Sequence, residues 1–388
     1  MKRESPTSPA ARRGAIALVA NYESDVGYAW WLMENFWALI AQRAHGEGRK
    51  CVLAYPRIGV IPTKVRDAPI EIHEFRFSRR SWREALTTAR FLRRHAVTSV
   101  YLTDWPYLHW SYLLWRLYGV RRIVMHDHTP GMRPPIGGLR GLVKRITFAL
   151  RVFSCHQYVA VSKYVGQRHL QNARVPANLD VVVENGIVPF DSRGVSRGAV
   201  RERIGIPADA FLVVLVSRAT YYKGLDFAVR CVAALKEKIR DRPVYAVHCG
   251  DGPDLEAFRK LATDLHIADH FLFLGRRTDV RDILASSDVA FHPSLGEAMS
   301  LAILEFMCAG LPVIVPDNAS VCTNIEHGHT GLVYPARNEA GATQALVDLC
   351  KDVALRDRLG AQARAVCLDR YLLEHTNASF TRQVVTLL

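Results

Sequence analysis

A chain of 388 residues with 51 Lys+Arg against 37 Asp+Glu, a net charge of +14, is too long for one ordinary hydrophobic core. Its 49% hydrophobic and 23% charged content is that of a folded globular protein and excludes a disordered one. No apolar run approaches the roughly 18–20 residues of a membrane span, so two water-facing domains of roughly 150–200 residues are expected.

Residues 1–13 form a polar tail. The apolar run 15–20 after it is too short for a signal-peptide core and is read as a first strand. The loop that follows holds one glycine, Gly27, and opens an aromatic run through Tyr28, Trp30, Trp31 and Trp37. These rings suit either a platform for an acceptor or lipid, or the core of a helix expected over 30–45. Strands are expected at 51–54, 99–102, 123–126 and 158–161, and Ser81 with Glu84 has the spacing of a capping box at a helix start. The run at 123–126 leads into His126-Asp127-His128, where a strand end presents titratable groups to a ligand.

Between Gly137 and Phe153 the chain is amphipathic and basic. Leu139, Leu142, Val143, Ile146, Leu150 and Phe153 share one helical face, with Arg140, Lys144 and Arg151 opposite. Such a helix suits an anionic membrane surface, or equally packing on the first sheet. The basic surplus belongs to this half: residues 1–190 hold 28 Lys+Arg and 13 Asp+Glu, whereas 191–388 hold 23 and 24. That asymmetry points to an anionic partner: a membrane surface, an acidic acceptor or nucleic acid. The eight cysteines include no C-x-x-C pair and mostly sit in apolar patterns, which reads as buried reduced thiols in a cytosol.

A Gly-, Pro- and charge-rich stretch before residue 211 separates the halves, apart from a short helix at 200–204. The second half repeats the alternation, with strands at 211–216, 244–249, 271–274, 289–292 and 312–315. Helices are expected near 224–239, 254–265, 298–309 and 340–349. Alternation of this kind predicts an α/β protein: two Rossmann-like doubly wound domains facing a cleft. The domains are drawn at 14–190 and 191–370, with a C-terminal helix at 371–388 packing back on the first.

The chemistry concentrates at strand ends of the second half. Arg218 and Lys223-Gly224 follow the strand at 211–216, a cationic pair suited to a diphosphate. Gly250 and Gly252 follow 244–249 and allow a tight turn or close approach to a ligand, but Leu255 stands where a dinucleotide fingerprint needs glycine, which argues against hydride transfer. Glu297 and Glu305, eight residues apart around a helix start, flank amides suited to a phosphate. Acids beside a phosphate site are suited to accept hydrogen bonds from sugar hydroxyls, and the spacing, on the order of 10 Å, is comparable to a nucleotide-sugar.

Taken together, Arg218…Lys223-Gly224, Gly250-Asp-Gly-Pro253, Phe273-Leu-Gly-Arg276, Glu297-x7-Glu305 with Gly310-Leu-Pro-Val, and Gly328-x-x-Gly331 resemble the nucleotide-sugar domain of family 4 retaining glycosyltransferases of the GT-B fold. Val159-Ala-Val-Ser162 and Val183-Glu-Asn185-Gly186-Ile match the closing segment of that family's first domain. The resemblance implies that Arg218 and Lys223 bind the donor diphosphate and that Glu297 holds the transferred sugar. It places Glu305 on the ribose hydroxyls and the amides of Met299, Ser300 and Leu301 on the distal phosphate. Gly27, Gly250, Gly252 and Arg276 join the donor side, and His128 faces the reacting sugar. Tyr28, Trp30, His126 and Asp127 are assigned to the acceptor side. The family commonly carries Gly-Phe-Gly after the first glutamate, and this chain has Ala298-Met299-Ser300, which leaves the donor sugar open.

The expected activity is metal-independent, retaining transfer of a sugar from a nucleotide-diphosphate donor to an acceptor hydroxyl, in cell-surface glycan, lipopolysaccharide or glycolipid synthesis. No cofactor is expected, the nucleotide-sugar being a co-substrate. The expected partners are a UDP-, GDP- or other NDP-sugar, a glycan or lipid-linked acceptor and an anionic membrane surface; the expected place is the cytoplasm, peripheral on the inner face of the cell membrane. A nucleotide-sugar 2-epimerase shares the architecture and needs no acceptor. A nucleic-acid-binding protein would need a recognition motif, and none stands in the sequence, so no nucleic acid is expected.

Overall fold

The computed structural model describes residues 14–26, 30–78, 81–191 and 194–388. It divides into two compact units, one of residues 1–129, 133–185 and 376–388, the other of 130–132 and 186–375. The divisions therefore fall about five residues from the expected ones at 190/191 and 370/371. The reason is a pair of neighbouring crossings. The Ile187 N–H donates to the Tyr371 carbonyl and the Leu373 N–H to the Ile187 carbonyl within the second unit. Thr376 Oγ1 then donates to the Glu184 carbonyl within the first. Helix Leu373–Gln383 buries Phe380, which stacks on Phe36 with ring centroids 4.2 Å apart in the first unit.

The first unit is built on a seven-stranded sheet of β1 (Ala15–Val19), β2 (Cys51–Tyr55), β3 (Ile70–Glu74), β4 (Val97–Thr103), β5 (Arg122–Asp127), β6 (Gln157–Ala160) and β7 (Asp180–Val182), ordered β3-β2-β1-β4-β5-β6-β7. The second has six strands, β8 (Phe211–Val216), β9 (Val244–Cys249), β10 (Phe271–Gly275), β11 (Val289–Phe291), β12 (Val313–Pro316) and β13 (Gly331–Tyr334), ordered β10-β9-β8-β11-β12-β13. All pairings are parallel. Parallel sheets covered on both faces need apolar runs without alternation, which Phe-Leu-Val-Val-Leu-Val of β8 supplies.

All ten expected strands form, within a residue or two at their ends. Three edge strands, β3, β7 and β13, were not expected. The helix at Trp82–Arg94 starts as predicted, with Ser81 Oγ accepting from the Glu84 N–H at 3.2 Å, but the Glu84 carboxylate takes the Ser78 hydroxyl instead of closing the box. The helix expected from residue 298 begins at Leu301, because Ser300 caps it by accepting from the Ile303 N–H. Among the described residues no helix is long and apolar enough to cross a membrane.

Each sheet has a topological switch point, where consecutive crossovers leave in opposite directions and open a crevice at the strand C-termini. In the second unit it lies between β8 and β11; in the first, between β1 and β4.

Candidate functional site

The second unit's switch point receives the loop after β8, with Arg218 and Lys223, and the loop after β11, with His292 and Glu297. Gly224 brings them together. It adopts φ +71°, and a Cβ there would lie 2.2 Å from the Pro293 carbonyl oxygen, so only glycine lets the two loops touch. The Leu295 N–H donates to the Tyr222 carbonyl at 3.0 Å and fixes the contact.

At this junction Lys223 Nζ lies 2.6 Å and His292 Nε2 2.9 Å from Glu297 Oε1. The Glu297 N–H donates to Ser320 Oγ at 3.3 Å, and Asn318 anchors both Ser320 and the Leu295 carbonyl. Burial alone would push the Glu297 carboxyl up. The Lys223 charge and the His292 hydrogen bond outweigh it and hold the group down at about 2. Glu297 is therefore an anion at any physiological pH and can only accept hydrogen bonds.

Glu305 is the opposite case. It sits in the helix Leu301–Cys308, whereas Glu297 belongs to the loop before it. Among the described residues its carboxylate makes neither a hydrogen bond nor an ion pair, and burial, only partly offset by Arg281, raises it to about 7. A shielded carboxyl with open acceptor positions suits a ligand hydroxyl pair. Ser300 accepts from Ile303, so Leu301 and Ala302 carry the first-turn amides that remain for an anion. Met299 and Ser300 are buried at this end.

Arg218 is exposed on its loop, which His248 supports from below: buried on β9, its Nε2 donates to the Ser217 carbonyl at 3.0 Å. Gly250 and Gly252 serve the same packing. A Cβ on Gly250 would stand 1.9 Å from the Ser217 oxygen, and one on Gly252 2.3 Å from the Ala219 oxygen. The close approach these glycines permit in this structure is to the neighbouring loop. Arg276 is exposed after β10.

In the first unit, His126, Asp127 and His128 do end β5, but the first two point inward. His126 is buried with Nδ1 2.6 Å from the Tyr101 hydroxyl. Asp127 accepts from Arg168 Nη2 (3.1 Å), His169 Nε2 (3.0 Å), the Thr129 N–H (2.9 Å) and the Tyr107 hydroxyl. Asp127 is thus buried and held in place by internal donors, three of them on Oδ2. Burial raises its carboxyl, but the bond from His169 and the Arg168 charge win and depress it strongly. Asp104, after β4, accepts from the His128 N–H at 2.6 Å and is raised to about 7 by burial and the nearby Asp127 charge. His128 keeps a buried Nε2 without a partner among the described residues, and burial lowers it to about 4, so its ring is neutral.

Gly27 and Tyr28 lie outside the described residues. Trp30 stacks on Tyr22 with centroids 3.8 Å apart, while Phe36 and Trp37 are fully buried. Trp37 is thus helix core, while Trp30 and Trp31 are half-buried at the helix start. Sequence reasoning missed His248, Asn318, Ser320, Asp104 and the Arg168–His169–Asp180 set, in which His169 Nδ1 lies 2.5 Å from Asp180 Oδ1; only Asp104 was marked, by its strand-end position.

Two all-parallel, doubly wound units, the second carrying a cation–carboxylate cluster at its switch point, define the GT-B class of glycosyltransferase folds. Residues 33–189 match the family described as Glycosyltransferase Family 4, and 196–366 match Glycosyl transferases group 1. The chain belongs to the family 4 glycosyltransferases. It is 28% identical over 175 residues to N-acetyl-alpha-D-glucosaminyl L-malate synthase of Bacillus anthracis, covering 45% of each chain. It is 29% identical over 174 residues to LpsE, a lipopolysaccharide core biosynthesis glycosyltransferase of Rhizobium meliloti, covering 45% of this chain and 49% of that one. The chain thus spans about half the length of these curated relatives. The fold of HepE from Anabaena, solved in complex with UDP-glucose, superposes with a TM-score of 0.72 at 17% identity, over 96% of this chain and 100% of that one.

Proposed function

We propose that this protein is a retaining, metal-independent glycosyltransferase that moves a sugar from a nucleotide-diphosphate donor to the hydroxyl of a glycan or lipid-linked acceptor, in the synthesis of a cell-surface glycan, lipopolysaccharide or glycolipid. The observation that carries this reading is the Lys223–Glu297–His292 cluster at the second switch point. A permanently ionised carboxylate fixed between a lysine and a histidine is preorganised to receive sugar hydroxyls. Lys223 and the exposed Arg218 supply the positive charge a departing diphosphate needs, together with the Leu301 and Ala302 amides. These groups do the work that a divalent ion does in other transferases. Glu305 takes the ribose hydroxyls, and neutral His128 is assigned to the reacting sugar. Attack and departure occur on the same face of the sugar, with Glu297 as a sugar-holding group and not a covalent nucleophile. The family-4 relatives, one of them in lipopolysaccharide core synthesis, support the class of reaction. We place the enzyme in the cytoplasm, peripheral on the inner face of the membrane.

The test is a panel of UDP-, GDP-, ADP- and TDP-sugars read by thermal shift and nucleotide release. One donor should stabilise the protein and release nucleotide only when acceptor is present. Conversion of donor alone to a 2-epimer, or transfer unaffected by both Lys223→Ala and Glu297→Ala, overturns the reading.

A further inference from the structure

Helix Gly138–Ala149 is mounted with its apolar face outward. It buries Gly141 and Phe148 against the first unit. Leu139, Leu142, Val143, Ile146 and Leu150 are 76%, 53%, 54%, 55% and 55% exposed. At about 100° per residue these five make one stripe, centred about 180° from the Gly141–Phe148 face. A surface helix of a globular protein ordinarily does the reverse. The sequence left open whether this stripe packs on the sheet or faces outward; it faces outward. Five contiguous large aliphatics reach the several-hundred-Å² size at which an exposed patch marks a contact surface.

The surroundings say what kind of contact. From His128 to Leu179 the chain contains no acidic residue and eight Lys or Arg. Beside the helix lies a cavity of about 490 Å³ lined by Arg145, Arg151 and Arg174 together with Phe148, Leu170 and Val175. Arg174 donates from Nε to the Ile136 carbonyl at 2.8 Å, which ties the helix entry to the cavity wall. Arg145 and Arg151 form no ion pair among the described residues. A cationic pocket with apolar walls, opening beside an aliphatic stripe, matches a phosphate headgroup joined to acyl chains.

We propose that this face docks on an anionic phospholipid surface, with the Leu139–Leu150 stripe inserted at the acyl boundary and a lipid phosphate held in the Arg145–Arg151–Arg174 cavity. This deepens the membrane-side part of the reading above by naming the surface and the ligand. It does not depend on which sugar is transferred.

The experiment is co-sedimentation of the full chain with vesicles of phosphatidylcholine alone and of phosphatidylcholine with phosphatidylglycerol, without donor or acceptor. The protein should pellet with the anionic vesicles only, and less as salt rises. Leu142→Glu with Ile146→Glu should lower partitioning about tenfold or more with the melting temperature little changed, since both side chains are already more than half exposed. Arg145→Ala with Arg151→Ala should lower it about tenfold on the anionic vesicles, while inorganic phosphate at constant ionic strength should not displace the wild type. Equal, negligible pelleting on both vesicles overturns the proposal. So does displacement by inorganic phosphate alone, or a dimer that the Leu142/Ile146 variant splits while vesicle binding stays intact. Sugar transfer to a soluble acceptor is measured separately and can survive any of these failures.

Discussion

Lys223 Nζ stands 2.6 Å from Glu297 Oε1, joining two loops 74 positions apart in the chain at one switch point. Removing one partner leaves the other with its burial uncompensated. Lys223→Ala should cost roughly 2–4 kcal/mol of stability and at least about a hundredfold in transfer rate, because the charge is used both by Glu297 and by the departing diphosphate. Lys223→Arg should keep most of the stability and recover little of the rate, since a planar fork does not reproduce a point charge. Thermal melts and single-turnover transfer separate the two effects.

The same pair predicts a pH dependence. Glu297 is held at about 2, below the ordinary value of 4.5, so its contribution is fully present above about pH 4.5 and is lost as the pH falls through 2. The interval corresponds to roughly 3 kcal/mol. In Lys223→Ala the depression should largely disappear, and stability in acid should fall less steeply between pH 4.5 and 2. Denaturant midpoints measured across that window check it; parallel profiles for the two proteins would sink the assignment.

Glu305 predicts the opposite sign. Its carboxyl is raised from 4.5 to about 7, so stability is greatest below pH 4.5 and declines as the pH rises through 7. Glu305→Gln removes that decline and should stabilise the free protein at pH 8 by up to about 3 kcal/mol, less where solvent reaches the group, with no gain at pH 4. It should also weaken nucleotide binding about tenfold or more, because an amide cannot accept from both ribose hydroxyls as a carboxylate does. Binding at pH 6.5 should release a proton in the wild type and none in the variant. Calorimetry in buffers of different ionisation heat measures this directly.

How much of this was legible in the sequence follows from where each group gets its partner. Ten strands, the edge strand β10 among them, announce themselves because a parallel sheet covered on both faces writes an unbroken apolar run. The other three edge strands do not: Ile-Glu-Ile-His-Glu of β3 alternates with charge, β7 is three residues long, and β13 emerges from a glycine turn. Glu297 and Lys223 were readable because loops after strands advertise function. His248 and Ser320 were not, because a buried histidine on β9 looks like any strand residue and Ser320 reaches Glu297 only through space. The helix at Gly138–Ala149 shows the limit most clearly. Its stripe is the same whether it faces the sheet or the solvent, and only the burial of Gly141 and Phe148 decides.

Gly250 carries a prediction that concerns geometry alone. At φ +147° with the Ser217 oxygen 1.9 Å from any Cβ, Gly250→Ala must push the loop bearing Arg218 away from β9. The expected cost is roughly 2–4 kcal/mol, or a fall of about 5–15 °C in the second unit's melting temperature, together with weaker nucleotide binding. Gly119→Ala, also at positive φ but with open space around its Cβ, should cost only the backbone strain, about 1 kcal/mol. Equal losses for the two would mean that the loop contact contributes nothing.

Asp104 and Asp127 stand at the ends of neighbouring strands in the first unit with opposed titrations, which makes them separable. Asp127 is depressed by His169 and Arg168, so its stabilisation is present above the ordinary carboxylate value and is lost in acid. Asp127→Asn leaves the buried Arg168 without its carboxylate and should cost roughly 3–5 kcal/mol at pH 7. Asp104 is raised to about 7, so its effect runs the other way: stability falls as the pH climbs from 3.8 through 7. Asp104→Asn keeps an Oδ1 acceptor for the His128 N–H and tolerates φ +54°, so it should flatten that decline and leave the protein more stable at pH 8. Because the charge of Asp127 is part of what raises Asp104, the two substitutions should not be additive. In the Asp127→Asn background, Asp104→Asn should gain less at pH 8 than it does alone, and a double-mutant cycle followed by urea midpoints at pH 5 and pH 8 measures the coupling.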